Sequence, residues 1–394
     1  MVNTVEKVKT NKEKRGKQHP SPEMCLQHVL RKDYEFRFNV ITEQVEYRSK
    51  AQESDFDLLD KRHINSLCLE LMEQGVKCWD QDVKRFIHSA RIQDYHPFKA
   101  YMKELPVWDG KDWVELLIRR VTNDPICIRA MYRWLVAMVA LWMGRHKDLS
   151  NSLMPILISH EQGLGKSTFC RNLLPDTLRT YYTDMADFTT KGRMHQRLVQ
   201  NGLVNLDEFD SVASNKMALL KNLIQAKDVS LTKAYTNYFS NLPRIASFID
   251  TSNRQDLLTD PSGSRCFICI LIEKEIKNVY INHDQLYAEI EWLVEAGERT
   301  WLCHEEEVQL QEHSKAFYRE TPGILLFKQY YSIDSENPLG EWKTMQEIVQ
   351  ELCKHRSAAH EISPFVLSQA LSKSLDNACY PNFSVIQTSL AKYA

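Results

Sequence analysis

His160-Glu161-Gln162-Gly163-Leu164-Gly165-Lys166-Ser167-Thr168 follows directly on the apolar run Met154-Pro155-Ile156-Leu157-Ile158. A buried strand that breaks into a glycine-bearing loop ending in Gly-Lys-Ser is the layout of a phosphate-binding loop. Gly163 and Gly165 let the backbone curl so that its N–H groups face the β- and γ-phosphates of a nucleotide. Lys166 can place a point charge between those phosphates, and the Ser167 hydroxyl can complete the shell of a Mg²⁺ ion. Gln162, Leu164 and Thr168 make up the rest of the cradle. A helix over residues 167–173 would turn its positive end toward the anion. One position departs from G-x-x-x-x-G-K-S: its first glycine falls at His160. Taken alone, the motif therefore also fits a strand–turn–helix that merely contains glycine.

About forty residues downstream, Gly202-Leu203-Val204-Asn205-Leu206-Asp207-Glu208 is an apolar run that ends in two carboxylates. It reads as a buried strand delivering acids to the C-terminal edge of a parallel sheet. Asp207 would hold the Mg²⁺ shell, and Glu208 would orient and activate the attacking water. A third strand, within Arg244-Ile-Ala-Ser-Phe-Ile-Asp-Thr-Ser-Asn253, ends in small polar residues. Asn253 is either a turn former or a group that hydrogen-bonds the lytic water or the γ-phosphate. In Ser262-Gly-Ser-Arg265, the arginine enters a fourth strand, residues 267–272. Such an arginine is a surface charge in most proteins, but a ring-forming ATPase can offer it to a neighbour's γ-phosphate as a finger.

Together these residues resemble the virulence-associated protein E family, ATPases of phages, plasmids and mobile elements related to superfamily 3 helicases within the AAA+ group. The resemblance also rests on Leu219-Leu-Lys221, Lys233-Ala-Tyr235, Thr251-Ser-Asn253, and upstream Tyr101-Met-Lys-Glu-Leu105 with the turn Trp108-Asp-Gly110. It covers roughly residues 90–275. Two positions differ from the family: His160 where glycine is usual, and Cys266 where a second arginine is common, which leaves Arg265 as the finger of that motif. The resemblance implies an α/β fold, with an AAA+ type P-loop core on a mostly parallel sheet. It implies ATP and Mg²⁺ as cofactors, a homo-oligomeric, hexameric ring, and single-stranded or forked DNA as partner. The activity implied is ATP-driven DNA unwinding or translocation in replication of a mobile element. An ATP-switched initiator or loader, or a structural DNA-binding subunit that no longer hydrolyses nucleotide, are the alternatives. No primase motif is evident, so a primase would be a separately encoded chain. In superfamily 3 helicases a hairpin facing the central pore precedes the Asn-bearing strand, and the resemblance puts Asp228–Phe239 there. Lys233 could then track phosphates and Tyr235 stack on a base. Alternatively, Tyr235 and Tyr238 pack in the core and Lys233 is a solvated charge.

Composition agrees with a large folded chain. Its 394 residues are 43% hydrophobic, enough for a sizeable core and two or three domains. A net charge of −2 excludes a globally basic DNA-coating protein but not a locally basic channel. Ten scattered cysteines suit reduced thiols in a cytoplasm rather than a disulfide framework. Cys266-x-x-Cys269 would point its thiols to opposite faces of a strand, which argues against a metal pair. No apolar leader is evident, and the apolar run 134–143 is about half a membrane span, so it reads as a buried helix.

The expected organisation is a basic disordered tail (1–22), an N-terminal α+β region (23–95), a helical lead-in (96–150), the ATPase core (151–275), a helical region (276–320) and a C-terminal winged-helix-like module (321–394). Within these, strands or a hairpin are expected over 36–41 and 44–47. Helices are expected over 64–72, 80–90, 113–120, 126–143, 287–302 and 309–319. In the C-terminal module, a capping box at Thr344-Met-Gln-Glu347 and the pair Ser363-Pro364 would each start a helix, with a strand over 384–386.

Overall fold

Residues 22–51, 54–145, 150–184, 191–207, 209, 214–232, 239–258, 265–319, 325, 343–354 and 392–393 are described by the computed structural model. The chain divides into two compact units, Met1–Ala100 and Tyr101–Ala394.

In the first unit, α1 (Pro22–Asp33) leads into a hairpin of β1 (Tyr34–Asn39) and β2 (Gln44–Ser49), paired from Tyr34↔Ser49 to Asn39↔Gln44. The turn between them holds Glu43 at φ 56°. β3 (Asp57–Leu58) adds to β2, α2 (Lys61–Glu73) and α3 (Asp80–Ile87) follow, and β4 (Gln93–Tyr95) pairs parallel to β1. Asp60 starts α2 by accepting from the N–H of His63, satisfying one of the amides a helix start leaves open. Leu26 and Leu30 of α1 pack with Val45, Leu67, Leu71 and Phe86 into one apolar core.

The helix α4 (Pro97–Lys103) spans the boundary between the units, and α5 (Trp113–Ile118) and α6 (Pro125–Met143) follow. α6 is the helix expected over 126–143, but the expectation that its apolar part is only about half a membrane span is corrected: its 19 residues are long and apolar enough by composition to cross a membrane. It is packed inside the protein: Trp134 Nε1 donates to the carbonyl of Phe248 (3.0 Å) and Trp142 Nε1 to that of Gly202 (3.3 Å). Asp124 caps its start and Gly144, at φ 70°, ends it. An indole that is buried must bring its N–H to an acceptor, and here both indoles tie α6 to the sheet.

That sheet is a five-stranded, all-parallel layer. Its strands are β5 (Met154–Ile158), β6 (Tyr182–Asp184), β7 (Leu203–Asn205), β10 (Ser247–Ser252) and β11 (Phe267–Leu271), and their order is β11-β5-β10-β7-β6. Between them come α7 (Lys166–Asn172), α8 (Lys191–Gln200), α9 (Ser214–Gln225) and the antiparallel pair β8 (Asp228–Thr232) and β9 (Phe239–Pro243). The period-2 alternation of a strand puts Met154, Ile156, Ile158, Val204, Phe248 and Phe267 in one core with Met194 and Leu198 of α8 and Leu220 and Ile224 of α9. Cys266 joins the same core as Cys269. Cys266 lies in a turn ahead of β11, so the alternation expected from the sequence does not separate the two thiols.

After the sheet come α10 (His283–Glu295) and α11 (His304–Ser314). Both begin earlier than the periodicity suggested, because Asn282 accepts from Gln285 N and Glu306 accepts from Cys303 N. The turn Trp108-Asp109-Gly110 docks on α10. Asp109 N donates to Gln285 Oε1 (2.8 Å), Trp108 stacks near Trp292 at 4.9 Å between centroids, and Gly110 takes φ 84°. Farther on, β12 (Lys343–Thr344) leads into α12 (Met345–Lys354), and β12 pairs with β13 (Lys392–Tyr393). The expected helix at Ser363-Pro364 and the strand at 384–386 lie outside the described residues.

Candidate functional site

In a parallel sheet every strand ends on the same edge, so loops far apart in sequence converge there. β5 pairs with β10 through Thr251↔Leu157 and Ser252↔Ile158, and the ladder continues as Ser159 N donates to Ser252 O (3.1 Å). That register sets Ser159, the first residue after β5, beside Asn253, the first after β10. Lys166, at the start of α7, is only 8% exposed. Its Nζ donates to Ser159 Oγ and to Asn253 Oδ1, the latter at 2.9 Å. On the other side of β10, Leu206 N bonds Ile249 O (3.2 Å), which delivers Asp207 to the same edge. There Asp207 Oδ1 accepts from Thr251 Oγ1 at 3.1 Å.

The loop before Lys166 has the backbone its glycines allow. Gly163 and Gly165 take φ of 81° and 82°, a region costly for side-chain-bearing residues. His160 does not share that need: among the described residues, Glu43 and Asp207 are the non-glycine positions with positive φ. Its ring reaches Gln255 Oε1 at 3.1 Å instead. The departure at this position therefore leaves the loop's geometry intact.

The pattern of the virulence-associated protein E-like domain matches residues 102–319, more than half of the chain, and spans this whole constellation. The chain belongs to the virulence-associated protein E-like family. Among solved structures it is similar to an apo structure of the NrS-1 C-terminal region, at 15% identity and TM-score 0.46, covering 75% of this chain and 76% of that one. An A-form apo structure of the same region is similar at 16% identity and TM-score 0.41, covering 76% and 68%. No curated protein matches the chain.

Within this virulence-associated protein E-like chain, the sequence-chosen residues fall into three groups. Gln162, Gly163, Leu164, Gly165, Lys166, Ser167 and Thr168 form the loop and the first turn of α7, and Asp207 and Asn253 meet them at the sheet edge. Arg265 does not. β11 runs parallel to β5 with Phe267 opposite Met154, so Arg265 stands exposed at the opposite end of the strands from Lys166. Glu208, Lys233 and Tyr235 lie outside the described residues, although β8 and β9, which flank residues 233–238, are paired from Asp228↔Pro243 to Thr232↔Phe239.

Several partners were not anticipated. Ser159 and Thr251 are small residues next to strand ends, and their roles appear only once the strand register is known. Asp184, at the end of β6, accepts from Tyr182 Oη (2.5 Å), Asn205 Nδ2 (2.8 Å) and Arg171 (2.9 Å). Burial alone would raise its carboxyl, but the Tyr182, Asn205 and Arg171 bonds outweigh it and hold the group below its usual range. This pre-ordered acid flanks the strand that delivers Asp207. Elsewhere, the His313 ring faces Asp124 Oδ2 with Nδ1 (3.1 Å) and the Cys269 carbonyl with Nε2 (2.8 Å), with Cys127 Sγ at 3.4 Å. Burial pushes the Cys127 thiol up to about 12. With both ring nitrogens committed and the thiol held protonated, this cluster is a strut between α6, β11 and α11 rather than a nucleophile with its base.

Proposed function

We propose that this chain is an AAA+ type P-loop ATPase which, as a hexameric ring, unwinds or moves along DNA during replication of a phage, plasmid or other mobile element. The observation that carries the reading is the Lys166 ammonium, fixed between Ser159 and Asn253 at the C-terminal sheet edge beside a loop of two left-handed glycines. The Ser159 hydroxyl and the Asn253 amide oxygen that it meets are neutral groups, and each can be exchanged for a phosphate oxygen.

The remaining roles follow from position. Ser167 and Asp207 offer the hard oxygen donors that suit Mg²⁺, which when bound neutralises charge on the β- and γ-phosphates. Gln162 to Thr168 wrap the phosphates of ATP. Asn253, exchanged off Lys166, is free to sense the γ-phosphate, and Glu208 orients the attacking water. Arg265, at the far end of the strands from its own P-loop, serves a neighbour's site in the ring. Lys233 and Tyr235, between the arms β8 and β9, contact single-stranded or forked DNA. A winged-helix-like module over 321–394 and a separately encoded primase complete the proposal, with the chain acting in the cytoplasm.

ATP hydrolysis measured with and without single-stranded DNA, alongside strand displacement on a forked duplex, tests it. DNA-stimulated turnover with displacement is the expected result. Slow turnover with stable ATP-dependent assembly and no displacement would favour an initiator or loader, and no hydrolysis at all would overturn the ATPase reading.

A further inference from the structure

The chain leaving β11 does not move away from the phosphate loop. Ile276 N donates to Leu164 O at 2.9 Å, and Asn278 Nδ2 donates to Gly165 O at 3.1 Å and to Ile276 O at 3.2 Å. A Cβ on Gly165 would sit 2.4 Å from Asn278 Nδ2, so the absence of a side chain there permits the approach. Farther on, His283 Nε2 meets the carbonyl of Asn172, the last residue of α7, at 2.8 Å. Residues 276–283 are therefore bonded to the chain just before α7 and at its last residue.

A second set of bonds fixes this segment from the other side. The Arg120 guanidinium donates to the carbonyls of Val279 (2.8 Å) and Tyr280 (3.1 Å). The backbone is thus held, yet the side chains it carries face solvent: Val279 is 59% exposed and Tyr280 84%. A large aromatic ring left in water on an anchored backbone is a preformed flat platform, with little ordering entropy left to lose when something stacks on it.

Its place in the sheet says what that something is. β11 flanks β5 on one side, whereas β10 and β7, which carry Asn253, Thr251 and Asp207, lie on the other. A nucleotide seated at Lys166 with its γ-phosphate toward Asp207 must direct its α-phosphate and nucleoside the opposite way, toward β11 and the segment that follows it. The neighbouring cleft of about 670 Å³, walled by residues such as Arg119, Asp124 and Lys277, has no P-loop residue in its lining and does not compete for that role.

We propose that residues 276–280 are a nucleobase shelf, latched to the P-loop through Leu164 and Gly165, on which the Tyr280 ring stacks against the aromatic base of the bound nucleotide. The proposal rests on the P-loop reading above, and inorganic tripolyphosphate, which has the phosphates but no base, separates the two.

Calorimetric titration of the parent, Tyr280→Ala and Tyr280→Phe with ATP and with tripolyphosphate provides the test. The parent should bind ATP more tightly than tripolyphosphate. Tyr280→Ala should weaken ATP by about tenfold, within the range of base–aromatic stacking, and leave tripolyphosphate unchanged. Tyr280→Phe, which keeps the ring, should bind ATP like the parent. Equal ATP affinity in parent and Tyr280→Ala, or an equal loss for both ligands, overturns the shelf while the P-loop stands. A parent that binds neither ligand overturns the P-loop reading and the shelf with it.

Discussion

Lys166 Nζ donates to Asn253 Oδ1 at 2.9 Å across 87 residues of sequence, so the glycine loop and the end of β10 are tied directly together. A neutral amide can hold the ammonium and still yield it to phosphate, whereas a carboxylate at the same place would compete as an ion. Asn253→Asp should therefore weaken ATP binding by about tenfold or more at low ionic strength, with salt recovering part of the loss. Asn253→Ala should bind ATP within about threefold of the parent but turn it over more slowly, since the proposed γ-phosphate contact would be lost. Lys166→Ala should remove hydrolysis, because the lost charge costs several kcal/mol of barrier. Nucleotide titrations and steady-state ATPase rates check all three, and unchanged affinity in Asn253→Asp would defeat the exchange argument.

Arg265 and Lys166 stand at opposite ends of the parallel strands, which has a consequence for mixed assemblies. Under the proposed ring, Arg265→Ala subunits would keep the P-loop lysine, and Lys166→Ala subunits would keep the finger. Mixing the two inactive variants should restore part of the ATPase at the interfaces that combine one intact part from each. A titration of mixing ratios, with subunit exchange confirmed, measures this. Zero recovery at every ratio would mean Arg265 does not act across subunits.

Glu289 is 4% exposed and accepts from Val114 N at 2.9 Å. Burial pushes its carboxyl up to about 7 from an ordinary 4.5, against the smaller opposing effect of that backbone bond. The folded state thus binds the proton more tightly than the unfolded one, and stability contributed by this group is full below pH 4.5 and lost as pH rises through 7. Glu289→Gln keeps an acceptor for Val114 without titrating. It should unfold like the parent in acid, yet be more stable by about 1–3 kcal/mol at pH 8. Denaturant melts at both pH values decide it, and parallel curves across the range would rule the effect out.

Much of the site could be read from the sequence because its parts carry local signals. Glycines that take positive φ, an apolar run of five residues and a Gly-Lys-Ser end mark the strand and the loop that carries Lys166. The register that joins these parts carries no such signal. That Ser159 and Asn253 would share Lys166, or Thr251 support Asp207, depends on β10 lying between β5 and β7. Arg244 opens the stretch that holds the third strand, and the sequence gives it no role. In the fold it is wholly buried and donates to the carbonyls of Leu223 (2.7 Å) and Ile224 (2.6 Å) at the end of α9, and to Asn151 (2.7 Å). Burial pulls its guanidinium down to about 9, still charged at neutral pH, and the negative end of a helix is a favourable place for it. Segment 276–280 escaped notice because its bonds to the P-loop run through backbone carbonyls, which any sequence supplies.

Asp207 combines two requirements at one position: a carboxylate at the sheet edge and a backbone φ of 47°. Left-handed backbone costs most side-chain-bearing residues about 1–2 kcal/mol, whereas Asn and Asp visit it routinely and Gly has no Cβ to clash. Substitutions can therefore separate the two. Asp207→Asn should melt like the parent, since its amide oxygen can still accept from Thr251 Oγ1, but lose Mg²⁺-dependent hydrolysis because the charge is gone. Asp207→Ala should lose the same activity and, in addition, about 1 kcal/mol of stability to backbone strain. Asp207→Gly should recover most of that strain energy without recovering activity. Thermal melts read the backbone contribution, and ATPase against Mg²⁺ concentration reads the carboxylate's. An Asp207→Asn protein that hydrolyses ATP at the parental rate would remove Asp207 from the metal shell and leave it a turn residue.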